Sequence, residues 1–184
     1  MTHKANKTAQ LNVLSIAGSL KKHSINRDLL FAMKKMAPTR MKFSVYDALE
    51  DVPLFNEDLE AQSPNLPRGV ENLVEAISKA DGVIISTPEY NQSIPGVLKN
   101  ALDWVSRKEA LDNKPVAMLG ATPGQWGTRY AQAALRHTLT ANGALVMGQP
   151  GVFIAGATQQ SDEDTKERLQ DLVLAFENWI DLVR

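Results

Sequence analysis

The amino-acid sequence predicts an α/β protein with a five-stranded parallel sheet in the order 2-1-3-4-5, covered by helices on both faces. Short apolar segments alternate along the chain with segments whose apolar residues recur at helical spacing. Such alternation gives parallel strands joined by right-handed crossovers, which leaves few topologies. The 184 residues contain no internal repeat and no linker, as expected for a single domain. In this strand order, ligands bind beyond the carboxyl ends of strands 1 and 3.

Five segments are predicted to be strands because they are short, largely apolar and bounded by polar or turn-forming residues. They are Leu11–Ala17, residues 42–46, Gly82–Ser86, residues 115–120 and residues 144–147, the last extending irregularly through residues 152–155. Most of these strands are apolar along their whole length, which predicts that both of their faces are buried.

A helix is predicted after each strand from apolar residues three or four positions apart. The first helix is capped by Ser24 or Asn26 and ends at Pro38, and the second ends near Asp81. The third has its apolar face from Val97 to Val105, and the fourth spans residues 128–142 with a C-cap at Gly143. The fifth starts at Ser161 or Asp162. Each helix therefore begins just beyond the carboxyl end of a strand.

Two segments fall outside this alternation. Residues 1–10 are polar and lack the apolar run of a secretory signal, so they are predicted to be a short disordered leader. Residues 48–67 form the longest irregular stretch and contain the sequence DVPLFNEDLE. A loop of this length in a compact domain usually has a function or lies at an interface.

Composition argues against several classes of protein. The absence of cysteine excludes disulfide frameworks, thiolate metal sites and cysteine nucleophiles, and the scattered His3, His23 and His137 do not predict a metal site. The formal net charge of −1 argues against a nucleic-acid binder. No apolar run approaches the roughly 20 residues of a membrane span, so the cytoplasm is the expected compartment. The G-x-S-x-G segment of many hydrolases is also missing.

The loop after strand 1, GSLKKHSIN (residues 18–26), has the composition of a phosphate site. It lacks both G-x-G-x-x-G and the Walker A pattern, which argues against a pyrophosphate ligand. Hydroxyl and amide groups of Ser19, Ser24 and Asn26 stand beside Lys21 and Lys22 at a predicted helix N-terminus, where an anion is stabilised. A terminal phosphate monoester fits these groups. The alternative is an ordinary capped turn, since Ser and Asn are common caps.

The loop after strand 3, within TPEYNQSIPG, combines stiffness with polar and aromatic groups. Pro88 and Pro95 restrict its backbone. Its side chains are Glu89, Tyr90, Asn91, Gln92 and Ser93. Rigid amides at this position would suit the polar edge of a flat heterocycle, with Tyr90 offering apolar surface. The alternatives are a half-buried packing role for Tyr90 and a solvated position for Glu89.

The loop after strand 4, ATPGQWG (residues 121–127), is predicted to line the same crevice because strands 3 and 4 are neighbours. Thr122, Gly124 and the adjacent amides face this crevice in the predicted arrangement. Trp126 has three possible roles that the sequence does not separate, namely a lid, an interface residue or simple packing.

Taken together, these motifs resemble the NADPH-dependent FMN reductase family. GSLKKHSIN, DVPLFNEDLE and TPEYNQSIPGVLKNALDW are similar to the motifs of its bacterial quinone and chromate reductase branch, and the likeness runs from Leu11 to the last helix. It implies a flavodoxin-like three-layer α/β/α sandwich in which residues 11–184 form one FMN-binding domain. Lys21 stands where the family usually has Arg, which predicts a looser grip on phosphate.

The resemblance also implies residue roles. Those implied for the FMN phosphate are Ser19, Leu20, Lys21, Lys22, Ser24, Ile25 and Asn26. Those implied for the isoalloxazine are Pro88, Glu89, Tyr90, Asn91 and Ser93, with Ala121 and Thr122 nearby. No side chain is required as an acid or base, so no catalytic residue and no metal ligand is predicted.

The activity implied is oxidation of NADPH or NADH through bound FMN, with electrons passed to a quinone, chromate or similar small-molecule acceptor. Relatives are homodimers or homotetramers, and residues 48–67 and Arg107 are the interface candidates. The alternative is a non-catalytic FMN-binding electron carrier or redox-responsive partner protein. A carrier would be expected to show an acidic docking face, which the balance of 20 basic and 21 acidic residues does not suggest.

Overall fold

One parallel sheet forms the centre of the computed structural model, which describes residues 9–61, 66–158 and 162–184. Its strands are β1 (Leu11–Ala17), β2 (Met41–Tyr46), β3 (Gly82–Ser86), β4 (Pro115–Ala121), β5 (Leu145–Val146) and β6 (Val152–Ile154). The order is β2-β1-β3-β4-β5, and β6 also pairs with β4. The predicted order and the parallel direction are confirmed.

The fifth position of the sheet differs from the sequence prediction. Two short strands replace one irregular strand: β5 pairs with Pro115 and Val116, and β6 pairs with the last three residues of β4. The segment between them contains Gly148, Pro150 and Gly151. Proline has no N–H to donate to a neighbouring strand and glycine weakens a strand, so the pairing is interrupted there.

Helices cover both faces of the sheet. They are α1 (Ile25–Met36), α2 (Glu57–Ala61), α3 (Arg68–Lys79), α4 (Gly96–Ser106), α5 (Arg129–Ala141) and α6 (Glu163–Val183). Ser24 caps α1, since its Oγ accepts a hydrogen bond from the N–H of Arg27 at 3.4 Å, and Asp162 caps α6. Ser161 and residues 1–8 lie outside the described residues. None of the described helices is long and apolar enough to cross a bilayer.

The two faces of the sheet have separate hydrophobic cores because side chains alternate along a strand. In β1, Leu14 and Ile16 pack into the core formed with α3, α4 and α5. Val13 and Ala17 pack into the opposite core, formed with α1 and α6. Since both faces of β1, β3 and β4 are held in this way, the loops at their carboxyl ends start from fixed positions.

The segment after β2 is anchored to α4 rather than free. The indole Nε1–H of Trp104 donates to the carbonyl of Pro53 at 2.8 Å, and the amide of Asn100 donates to the same carbonyl at 2.9 Å. The amide oxygen of Asn100 accepts from the N–H of Phe55 at 2.7 Å. These contacts fix the backbone around Leu54, whose side chain is 82% exposed.

Candidate functional site

The first loop of the site lies between β1 and α1 and has a basic rim. A cavity of about 380 Å³ opens beside it. The residues lining this cavity are Ala17, Ser19, Leu20, Lys21, Lys22, Arg27, Asp47 and Glu50. The Arg27 guanidinium is paired with the Asp47 carboxylate at 2.6 Å, whereas Lys21 and Lys22 are exposed and make no ion pair within the described part of the chain. The two lysines are therefore available to a ligand.

Free backbone donors stand next to these lysines. The helix α1 begins at Ile25, so the N–H groups of Ile25 and Asn26 have no carbonyl partner within the helix. The hydroxyl of Ser19, in the same loop, accepts from the N–H of Lys21 at 3.2 Å. Unpaired N–H groups, the positive end of the helix dipole and two ammonium groups together form a site for a phosphate.

Asn26 joins this loop to the two neighbouring strands. Its buried amide donates to the carbonyl of Ala121 at 2.9 Å, and its oxygen accepts from the N–H of Ala121 and from the hydroxyl of Ser86, each at 2.9 Å. The side-chain amide thus pairs with Ala121 as a peptide group in a β-ladder would. The start of α1 is thereby fixed against the carboxyl ends of β3 and β4.

The second loop contains a tight turn. Tyr90 and Ser93 exchange two backbone hydrogen bonds, each 3.0 Å long. The two residues between them, Asn91 and Gln92, have φ values of +50° and +61°. Positive φ at both central residues is the pattern of a type I′ turn, which is usually built from Gly or Asn. The buried Pro88 precedes this turn, and the Tyr90 side chain is 51% exposed on it.

The third loop follows β4 and is held by backbone bonds. The N–H of Thr122 donates to the carbonyl of Ile154, and its carbonyl accepts from the N–H of Ala157, each at 3.0 Å. Gly120 is required just before it, because a Cβ at this position would lie 2.3 Å from the carbonyl oxygen of Thr87. Trp126 is 55% exposed and therefore does not pack in the core.

A further bond links the second loop to the third. The carboxylate of Glu89 accepts from the N–H of Ala131, in the first turn of α5, at 2.9 Å. All the predicted site residues lie on the three loops or on the adjoining ends of α1 and β4, at one edge of the sheet. Sequence reasoning missed Arg27 and Tyr130, which is 50% exposed at the start of α5. A basic side chain in the first turn of the predicted helix was the signal that could have identified Arg27. Nothing in the sequence indicated its pairing with Asp47.

The family model described as NADPH-dependent FMN reductase matches residues 11–159. The chain belongs to the NADPH-dependent FMN reductase family. This membership confirms the expectations of a flavodoxin-like fold, of FMN and NAD(P)H as cofactor and co-substrate, and of an enzyme rather than a non-catalytic carrier.

Relatives of this FMN reductase match over nearly their whole length. A quinone reductase of Escherichia coli strain K12 is 37% identical, and the match covers 95% of this chain and 98% of the relative. A 2-hydroxy-1,4-benzoquinone reductase of a Burkholderia species is 34% identical, covering 92% and 96%. The solved structure of FerB, a flavoenzyme NAD(P)H:(acceptor) oxidoreductase from Paracoccus denitrificans, has a TM-score of 0.82 and 35% identity, covering 94% of this chain and 98% of FerB.

The residues at this edge fit FMN chemically. The exposed lysines and free N–H groups at the start of α1 suit its phosphate. The exposed Leu20, Tyr90 and Trp126 offer apolar surface to a flat ring on the adjoining loops. FMN, when bound, accepts a hydride from a nicotinamide and gives up electrons to a second molecule, and the protein supplies binding and orientation.

Proposed function

We propose that this protein is an NAD(P)H:quinone oxidoreductase whose FMN lies across the carboxyl edge of β1, β3 and β4. One observation carries the proposal: the bridge from Asn26 to Ser86 and Ala121 holds the phosphate-type loop against the strands that bear the other two loops. A single ligand can therefore contact all three. The names of the Escherichia coli and Burkholderia relatives support a quinone as the acceptor.

The residues proposed for the phosphate act in two ways. Ser19, Lys21 and Lys22 contact it with their side chains, and the backbone N–H groups of Leu20 and of residues 22–26 complete the set. Ser24 acts by capping α1, which keeps the helix N-terminus in place. The side chain of Asn26 has its amide oxygen and one N–H engaged with protein groups, so its contribution to the phosphate comes through its backbone N–H.

The residues proposed for the ring are those of the second and third loops. They are Pro88, Tyr90, Asn91, Ser93, Ala121 and Thr122, together with Glu89, which acts through its bond to the N–H of Ala131. The turn from Tyr90 to Ser93 presents backbone groups in a fixed geometry, and Tyr90 covers part of the ring. The protein's own groups bind and orient the reactants and exclude water, and no side chain serves as an acid or base in this proposal.

An open, aromatic surface suits an acceptor site that two molecules use in turn. Tyr90, Trp126 and Tyr130 are each about half exposed near this edge. Such a surface accepts a nicotinamide and then a flat quinone. An open site of this kind also leaves room for chromate, which we propose as a secondary acceptor.

We further propose a homodimer or homotetramer in the cytoplasm, where NAD(P)H is available. Leu54 is the residue proposed for an interface on the segment after β2, because its large apolar side chain is 82% exposed on a backbone that α4 holds in place. Arg107, the other interface candidate, pairs with Glu60 of its own chain at 2.9 Å. Multi-angle light scattering of Leu54→Asp should show a smaller oligomer than the wild type; an unchanged mass would remove Leu54 from the interface.

The test of the function is spectroscopic. FMN is added to the protein, and NADPH and NADH are then added separately without oxygen. Rapid bleaching of the flavin bands, and their return on adding a quinone, are the expected results. Bands that persist with both nucleotides would contradict the enzyme. Protein that binds no FMN would contradict the site.

The placement of the phosphate has its own test. Lys21→Ala should weaken FMN binding about tenfold, the loss typical of one charge-assisted hydrogen bond. It should leave riboflavin, which has no phosphate, unaffected. Lys34→Ala is the matched control, because Lys34 is exposed in the last turn of α1, at the end of the helix away from Lys21. Equal effects of the two variants on FMN affinity would contradict the placement.

A further inference from the structure

We infer that Glu89 is a positioning residue: its carboxylate caps α5 from another loop and thereby fixes the turn from Tyr90 to Ser93 against the loop after β4. The inference rests on the proposed function, since it assumes that this turn contacts the flavin ring. It gives Glu89 a role that acts through the protein rather than on the flavin.

The N-terminus of α5 needs an outside partner. The residue before it, Thr128, has a φ of +63°, and in the described part of the chain it makes no capping bond to its own helix. Its hydroxyl instead accepts from the side-chain amide of Gln132 at 3.0 Å. The first N–H groups of a helix have no carbonyl within the helix, and leaving them unpaired in a partly buried place is unfavourable.

Glu89 supplies the missing acceptor from 42 residues away. Its Oε2 accepts from the N–H of Ala131 at 2.9 Å. A carboxylate is well suited to this place, because the positive end of the helix dipole stabilises a negative charge there. The bond is therefore both a hydrogen bond and a favourable charge interaction.

The chain around Glu89 is stiff enough to transmit this anchor. On one side, the N–H of Thr87 donates to the carbonyl of Leu119 at 3.0 Å, which fixes the end of β3. On the other side, the two bonds between Tyr90 and Ser93 close the turn. Only Pro88, whose φ is restricted by its ring, separates Thr87 from Glu89. The capping bond therefore sets the distance between the turn and α5.

The same bond distinguishes two helix N-termini at this edge. The N-terminus of α5 is satisfied by the protein's own carboxylate, whereas that of α1 is capped by the neutral Ser24 and flanked by Lys21 and Lys22. An anionic ligand is thus directed to α1 and away from α5. This division supports the assignment of the phosphate to the first loop and of the ring to the second.

The experiment measures dissociation constants of FMN and riboflavin by fluorescence titration for Glu89→Ala, Glu89→Gln and Asp162→Ala. Glu89→Ala should weaken both flavins by the same factor, about fivefold for the loss of one cap. Glu89→Gln should restore most of this loss, because an amide oxygen can still accept from Ala131. Asp162→Ala is matched in chemistry, since Asp162 caps α6 with its carboxylate at 2.8 Å from the N–H of Thr165. It should leave both affinities unchanged.

Each result supports or overturns the inference. Unchanged affinity in Glu89→Ala would overturn it, and so would a Glu89→Gln variant as weak as Glu89→Ala, because the hydrogen bond to Ala131 that an amide oxygen keeps would then not set the affinity. Equal losses in Asp162→Ala would assign the effect to general destabilisation and would overturn it too. Wild-type protein that binds neither flavin would overturn the proposed site and this inference together, whereas wild-type binding with an unaffected Glu89→Ala overturns the inference alone.

Discussion

Replacing Asn26 by Ala should destabilise the flavin-free protein more than Ser24→Ala does in the same loop. The amide of Asn26 makes three hydrogen bonds with Ser86 and Ala121, and all three residues are buried. Truncation to Ala removes every one of these bonds and leaves a hydroxyl, an N–H and a carbonyl without partners.

The size of the effect follows from these three groups. Each buried polar group left without a partner costs about 1–3 kcal/mol, and the Ser86 hydroxyl can rotate toward another acceptor. We therefore expect a loss of about 3–5 kcal/mol, a large part of the roughly 5–15 kcal/mol that stabilises a domain. For a chain of this length, the melting temperature should fall by about 10 °C.

Asn26→Asp tests the direction of the bonds. The new carboxylate keeps an acceptor for Ser86 and for the N–H of Ala121, but it places a second acceptor opposite the Ala121 carbonyl. Only the protonated acid can donate there, so folding raises the pKa of the introduced group above its unfolded value of about 4. Its stabilising contribution is therefore fully present below about pH 4 and is lost as the pH rises through the folded pKa.

Urea unfolding of the flavin-free variants, followed by circular dichroism, measures these effects. Ser24→Ala is the control, because it lies in the same loop and loses a single 3.4 Å capping bond, for which we expect about 1 kcal/mol. An Asn26→Ala protein no less stable than Ser24→Ala would refute the reasoning. An Asn26→Asp protein whose deficit relative to the wild type is the same at pH 4 and pH 8 would refute the assignment of the donor.

Three further predictions concern other parts of the fold. Gln92→Gly should stabilise the protein by about 0.5–1 kcal/mol in urea unfolding, because glycine adopts the φ of +61° without strain; a loss of stability would contradict this. Trp104→Phe should cost about 1–2 kcal/mol and make the segment after β2 more sensitive to limited proteolysis, since the Pro53 carbonyl loses its indole donor; an unchanged cleavage rate would show that the other contacts suffice. Hydrogen bonding to Thr165 lowers the pKa of Asp162 below its ordinary value of 3.8, so the stability that this cap contributes is present above about pH 4 and is lost as the pH falls through the folded pKa. Asp162→Asn should lack this acid-dependent loss in urea titrations between about pH 2 and pH 6, and a profile parallel to the wild type would contradict it.

The sequence predicts the strand order and the edge of the sheet that bears the site, because both depend on strong apolar patterns. Buried parallel strands such as Gly82–Ser86 are recognisable, and the loops that follow them must meet at one edge. The fifth strand was predicted as one irregular strand although Gly148, Pro150 and Gly151 signalled an interruption. Its apolar ends outweighed those residues in the prediction.

The hydrogen-bond partners of the site's side chains could not be predicted from the sequence, for a physical reason. Asn26 bonds to Ala121, 95 residues away, and Glu89 bonds to Ala131, 42 residues away. In both cases the partner is a backbone group, which every residue has. A side chain that bonds to a backbone group requires no complementary residue type elsewhere in the sequence. A residue that contacts a ligand and a residue that makes a structural bond therefore show the same sequence pattern.

The division of the fifth strand also bears on how the sheet avoids unwanted association. An edge strand presents a row of free N–H and C=O groups that can pair with a strand of another molecule. Here that border consists of two residues in β5 and three in β6, separated by a segment rich in glycine and proline. Neither piece offers a run long enough to template a further strand. This border of the sheet is thus protected against edge-to-edge aggregation, and the opposite border, the six-residue β2, is the more exposed of the two.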